Sequence, residues 1–266
     1  MSRMHVKPIY VFTILLSITV TATAQDIDFR LSVKYILDSF NNRPSGTHSA
    51  DSTVQNVIDQ SNEALKRWGR GYRYVITEFR EVSGATAFYN LDEDQSGTEF
   101  KGLEDAAEAN PSQFHWRTDA TNIFIVNSYR GGSGAAAAIP SSPNDQGYEL
   151  VVVSINTGPP LVWPHELGHH NALYHTFDED SVADTREDPN PLQCLVPFEC
   201  DLGGTAECCC SLKIVLLDAA AQNYGWTQQE YEDLRWNLMN YNAAWDCVPM
   251  MDFADVRMTE GQLDRW

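Results

Sequence analysis

The sequence predicts a mixed α+β fold: a single domain with two lobes about a cleft, a twisted mixed sheet with helices in the first and an irregular, disulfide-stapled second. Three observations carry this. Strand-like runs at 31–37, 72–79, 86–91, 121–128 and 148–155 surround an amphipathic helical segment at 52–68. Four of the seven histidines fall between His165 and His175, directly after the last of those runs. All six cysteines lie between Cys194 and Cys247, most of them in a stretch where periodicity is lost. A length of 266 residues suits one such domain.

Residues 1–24 read as a signal peptide. Arg3, His5 and Lys7 give a positive start, and Ile9 to Val20 is apolar but too short for a membrane span. Ala22-Thr23-Ala24 offers a small-x-small cleavage site, so the mature chain is expected to begin at Gln25. An uncleaved anchor is the rival reading. The expectation is a secreted protein, extracellular or periplasmic, with no membrane contact after cleavage.

Residues 31–37 (LSVKYIL) form the first expected strand, and the polar stretch 41–52, with Pro44 and Gly46, a loop. The helix from Ser52 to Trp68 places Val54, Val57, Ile58, Ala64 and Leu65 near helical spacing, and Gly69 and Gly71 stop it. The runs at 121–128 (TNIFIVNS) and 148–155 (YELVVVSI) are rich in β-branched residues. Between them, Gly131-Gly132-Ser133-Gly134 and the alanines up to Pro140 read, on composition, as a flexible loop. Residues 176–225 read as irregular. Thr227 with Glu230, and Thr259 with Gln262, make two capping boxes that start short helices.

The formal net charge is −19, and loss of the leader makes the mature chain more acidic still. Such a chain is repelled by nucleic acid and by anionic lipid, so neither is an expected partner. The expectation of a protein or peptide substrate rests instead on the chemistry of the histidine cluster and on a family resemblance. Excess carboxylate serves solubility, and some of it suits calcium. Asp92-x-Asp94-x-Ser96-Gly97 resembles the start of a calcium loop, although its twelfth position is Leu103, with Glu104 one place late. An even number of cysteines behind a leader reads as disulfides. The adjacent Cys208, Cys209 and Cys210 should reach out to Cys194, Cys200 and Cys247, because bonds between neighbours are strained. A thiolate metal site is the alternative.

The chemistry concentrates in His165-Glu166-Leu167-Gly168-His169. On a helix, positions i and i+4 share a face, so His165 and His169 can bind one Zn²⁺. Glu166 is placed beside them to take a proton from a water that the metal activates. Three neutral histidines would leave one coordination position open, the mark of a catalytic rather than a structural zinc. The third ligand expected is His175. On a continuous helix it would lie about 9 Å further along the axis than His169. The chain must therefore leave the helix between them, at Ala172 or at Asn171. The spacing H-E-x-x-H-x-x-x-x-x-H is that of metzincins, with Ala172 where glycine is usual. Glu179 and Glu187 are rival third ligands. His170 faces away, and His48 and His115 read as ordinary surface or core residues.

Residues 165–177 (HELGHHNALYHTF), Val182-Ala183-Asp184-Thr185, Asn237-Leu238-Met239-Asn240-Tyr241, Cys247 and Met258 to Arg265 together resemble the pappalysin-type metzincins, a family that includes secreted endopeptidases. The resemblance spans residues 148–266 and is only architectural over 30–130. It implies an upper lobe of about 25–175 and a lower lobe of about 176–266, with Met239 as the Met-turn floor under the zinc. It also implies Tyr241 near the metal, where it would hold the tetrahedral intermediate. It implies an edge strand within Gly131–Pro140 that pairs with extended substrate, against the loop read from composition. Cys247 would be tied to the 194–210 loop, and calcium would bind near Asp178, Glu179, Asp180 and Asp184. Pro164, directly before His165, requires the helix to start close to Pro160 or to kink. The rival functions are a zinc-binding module without activity and a zinc amidase acting on a non-peptide amide.

Thiol titration of the denatured mature chain is expected to find the cysteines paired. Finding six free thiols would overturn the disulfides and reopen the thiolate metal site.

Overall fold

A computed structural model describes residues 27–91, 98–130, 134–137, 150–157, 161–174, 221–223, 225–235, 237, 239 and 257–265. The leader, all six cysteines and the acidic stretches 92–97 and 178–184 lie outside these residues.

The frame is a five-stranded sheet. Its strands are β1 (Ile27–Ile36), β2 (Tyr72–Val82), β4 (Thr121–Val126), β6 (Ala135–Ala137) and β7 (Leu150–Ser154), in the order β2-β1-β4-β7-β6. The first four in that order are mutually parallel, and β6 closes one edge antiparallel to β7. The two-residue strands β3 (Asn90–Leu91) and β5 (Ser128–Tyr129) form a separate parallel pair. The result is a mixed, mostly parallel α+β architecture.

Parallel strands with both faces covered read as continuous apolar runs rather than as alternation. Helices cover both faces here. On one face Leu31, Val33, Tyr35, Ile123, Ile125, Val151 and Val153 pack with Val54, Ile58 and Leu65 of α1 (Asp51–Arg67) and with Trp163 and Leu167 of α4 (Val162–His170). On the other, Phe124, Val126, Leu150 and Val152 meet Leu103 and Ala107 of α2 (Thr98–Ala109) and Phe114 of α3 (Pro111–Phe114).

Helix α1 ends where its sequence ends it, with Gly69 and Gly71 both at φ +71°. Both capping boxes form. Thr227 N–H donates to Glu230 Oε2 at 2.8 Å and Glu230 N–H to Thr227 Oγ1 at 3.2 Å, opening α5 (Gln228–Arg235). The reciprocal bonds between Thr259 and Gln262, 3.1 and 3.2 Å, open α6 (Glu260–Arg265). Arg70 pairs with Asp264 at 2.7 Å and Tyr72 Oη donates to Leu263 O at 3.2 Å, so this last helix is fastened to the start of β2.

Two expectations change. Residues 86–91 are not one strand: Thr86–Phe88 is a 3-10 turn and only Asn90–Leu91 is extended. The turn brings Phe88 onto Phe114, ring centroids 6.1 Å apart, which a straight strand would not do. Helix α2 stands where the calcium-loop pattern would continue, and Leu103 at its twelfth position is fully buried in the core. Phe100, Leu103 and Ala107 have the helical spacing that marks it. Ala135–Ala137 is the edge strand that the resemblance implied within Gly131–Pro140, where composition alone read loop; β7 offers an edge that three small residues can follow.

Lys34, on β1, is fully buried. Its Nζ donates to Asn122 Oδ1 (2.7 Å), Ser32 Oγ (2.8 Å) and Ser32 O (3.0 Å), which uses all three of its protons. Burial pushes its pKa down to about 7, with Glu78 opposing and Arg117 adding to the shift. The unfolded chain holds this proton up to an ordinary 10.5, whereas the folded chain releases it near about 7. Between those values the unfolded state binds more protons, so this site makes stability rise with pH. The thermal midpoint of the wild type should therefore gain on that of Lys34→Met as pH rises from about 7 to about 10. A constant difference across that window would show that Lys34 stays charged in the fold.

Candidate metal centre

Helix α4 follows β7 by a short connection and lies against β6 and β7. Leu161 precedes it, so it starts two residues beyond Pro160, and Pro164 occupies its third position. In the first turn the missing proline N–H has no intrahelical partner to lose. Every residue from Val162 to His169 is buried.

Two imidazoles converge on one point. His165 Nε2 and His169 Nε2 are 3.1 Å apart, with the rings nearly perpendicular at 88°. Two nitrogens on one tetrahedral zinc, each about 2.0–2.1 Å from it, would be about 3.3 Å apart. Leu173 O accepts a 2.7 Å hydrogen bond from His169 Nδ1. That bond places the proton of a neutral His169 on Nδ1 and keeps the Nε2 lone pair directed at His165. The donor set therefore fits a zinc ion. Among the described residues no group of three His, Cys, Asp or Glu side chains forms. His175 and Tyr241 lie outside the described residues.

Glu166 is 8% exposed. Burial raises its pKa to about 8, while a hydrogen bond from Ala137 N–H and the positive charge of Arg130 act in the opposite direction. Arg130 is held at φ +52° with its N–H on Leu91 O at 2.7 Å. A carboxyl with this balance suits proton exchange near neutral pH. His170 is half-buried, its pKa pushed down to about 4 by burial. His48 is a core residue and His115 caps α3 at φ +49°.

The chain leaves the helix at Ala172, whose φ is +63°, while Asn171 keeps a φ of −89°. Leu173 N–H reaches back to Gly168 O at 3.1 Å and Ala172 N–H to His169 O at 2.9 Å. This is a Schellman ending with alanine in the position that glycine usually takes. It also delivers Leu173 O to His169, so the break that must redirect the chain toward His175 orients a ligand candidate as well.

Met239 is fully buried beneath Gly168. A Cβ at Gly168 would stand 2.6 Å from Met239 Sδ, so any other residue there would displace the thioether. Met239 N–H donates to Asn237 Oδ1 at 2.9 Å, and Asn237 Nδ2 to Gln262 Oε1 at 2.7 Å. The second capping box thus also anchors the floor of the site. His165, Glu166, His169 and Met239 are brought together. The parts that sequence reasoning missed are the Ala137 N–H, the Leu173 carbonyl and Arg130. The first two are backbone groups that no residue pattern marks, and Arg130 is placed by its unusual φ.

Ala172→Gly removes a Cβ from a left-handed position, a relief of about 1–2 kcal/mol. A rise of a few degrees in thermal midpoint is expected at that gain, about 2–4 °C per kcal/mol for a domain of this size. A lowered midpoint would mean that alanine's smaller unfolded-state entropy outweighs its strain.

No family model matches the chain, and no curated protein matches it. Among solved structures it is similar to a chain in one titled as the structure of a chaperone-substrate complex, at 13% identity and a TM-score of 0.41, covering 57% of this chain and 24% of that one. It is also similar to metalloproteinase-II from Bacteroides fragilis, at 14% identity and a TM-score of 0.34, covering 57% of this chain and 45% of that one. The chain spans less than half the length of either, and at these TM-scores neither likeness assigns it a fold or a function.

Proposed function

We propose that this chain is a secreted zinc-dependent endopeptidase of the pappalysin-like metzincin type. The observation that carries the reading is the pair of Nε2 atoms of His165 and His169, 3.1 Å apart on one buried helix with Glu166 beside them. The turn at Ala172 supports it, because a third imidazole from His175 needs the helix broken there.

His165, His169 and His175 would hold the metal. Zinc, when bound, activates a water and polarises the scissile carbonyl. Glu166 takes the proton of the attacking water and gives it to the leaving amine. Its carboxylate is steadied by Ala137 N–H from the edge strand. The outer edge of β6 suits an extended substrate backbone, which adds a strand there and favours cleavage within a chain. Tyr241 would hold the oxyanion. Met239 forms the floor, and disulfides to Cys247 brace the lower lobe. Calcium near Asp178–Asp184 belongs to the same reading, as does export after cleavage before Gln25.

Glu166→Gln keeps both imidazoles and removes the proton acceptor. The variant should hold the same zinc per chain as the wild type, while turnover of an internally quenched peptide falls at least about a hundredfold. His165→Ala should lose the zinc itself. A Glu166→Gln protein that retains most of its peptidase activity would sink the mechanism. A wild type that binds zinc and leaves every internal peptide bond intact would favour an amidase or a non-catalytic module.

A further inference from the structure

His48 lies in the polar connection between β1 and α1, yet it is only 2% exposed. Residues 46–48 grip the chain that leaves β7 on its way to the histidine helix. His48 N–H donates to Ile155 O at 3.0 Å, and Thr47 N–H to Asn156 Oδ1 at 3.2 Å. His48 Nε2 lies 3.1 Å from Thr157 O; a carbonyl only accepts, so Nε2 carries the proton. Gly46 completes the grip, because a Cβ there would stand 2.2 Å from Asn156 Oδ1.

The gripped segment is also joined to the edge strand. Ser154 N–H and Thr157 Oγ1 both donate to Gly134 O at 2.9 Å, directly before β6. The His48 ring then meets Trp163 edge-on, centroids 5.4 Å apart. Trp163 is in the first turn of α4, two residues before His165. One side chain therefore touches the connection that carries the edge strand and the helix that carries the imidazoles. Burial holds His48 neutral, below the ordinary histidine pKa, although the Thr157 contact opposes it. His48 Nδ1 and Trp163 Nε1 are buried and reach no partner among the described residues, so this ring pair is kept without the hydrogen bonds that would maximise its stability.

The geometry points to His48 as a positioning residue that sets where His165 and His169 stand relative to the edge strand, through its bond to Thr157 O and its contact with Trp163. This rests on the zinc-peptidase reading above. His48 touches neither metal nor substrate. It acts by fixing the start of α4 against the strand that supplies the Ala137 N–H to Glu166.

The test uses the full mature chain loaded with cobalt(II), whose visible spectrum reports ligand geometry independently of turnover. His48→Phe keeps a ring against Trp163 and removes the donor to Thr157 O; His48→Gln restores a donor on a side chain of similar reach. For His48→Phe the expected result is an altered cobalt spectrum and a kcat lowered about tenfold or more, with KM within about twofold, as misplacement of a catalytic group would give. His48→Gln should recover the wild-type spectrum and most of kcat. A wild-type spectrum and kcat in His48→Phe would overturn the inference, as would a loss that only tracks the unfolded fraction. Should His48→Phe fail to fold, His48→Leu decides. It too removes the donor to Thr157 O, with a smaller apolar side chain, and an unchanged spectrum and kcat there would also overturn the inference. If the wild type itself binds no cobalt, the zinc-peptidase reading fails, and that outcome is separate from a wild type that binds metal and variants that bind it identically.

Discussion

A nine-residue helix carries two imidazoles and a carboxylate into the protein interior, and the other elements are arranged to satisfy them. Buried polar groups are tolerated only where hydrogen bonds or ions replace lost water. His169 Nδ1–H is met by the Leu173 carbonyl and Glu166 by the Ala137 N–H. His169 Nε2 faces His165 Nε2 across 3.1 Å. Two imidazole nitrogens stand that close with a proton or a cation between them, so the contact that settles the pair within the helix is also the feature with a chemical use.

Satisfying those groups imposes demands on each flank. The helix must end sharply, because Leu173 O can reach His169 only if the chain reverses within three residues. Ala172 meets that demand in a left-handed conformation. The sheet must end in a strand with N–H groups beside Glu166, and β6 supplies them as an antiparallel addition to an otherwise parallel set. The underside must be apolar and close, and Gly168 lets Met239 approach within the space of a missing methyl group.

Met239 is held through hydrogen bonds between side chain and backbone. Its position comes from the Asn237–Gln262 pair, both fully buried, and from the Thr259 capping box. Gln262 serves the helix start and Asn237 together, which couples the last helix to the floor of the site. Arg70 and Tyr72 attach that helix to the sheet. A chain of directional bonds thus runs from the start of β2 to the underside of α4.

The break at Ala172 was expected from the spacing of the resembled family, with Asn171 as the alternative; local patterns alone were enough to locate β1, α1, β2, β4 and β7, both capping boxes and the histidine helix. Each is decided by neighbours within a few residues: β-branched runs, helical spacing, glycine stops, or reciprocal Thr–Glu and Thr–Gln bonds. The 3-10 turn at Thr86–Phe88 was not legible in the same way, helix α2 was passed over although its helical spacing is local, and the strand at Ala135–Ala137 was implied by the resemblance but not by composition. Phe88 bends to reach Phe114, and three alanines become a strand because β7 leaves an edge open. In the site, the pairing of His165 with His169 followed from spacing alone. The orientation of His169 by Leu173 O, the Ala137 N–H on Glu166 and the packing of Gly168 on Met239 were decided by tertiary structure. They depend on backbone groups and distances between segments far apart in the chain, and a residue sequence carries those only after the chain has folded.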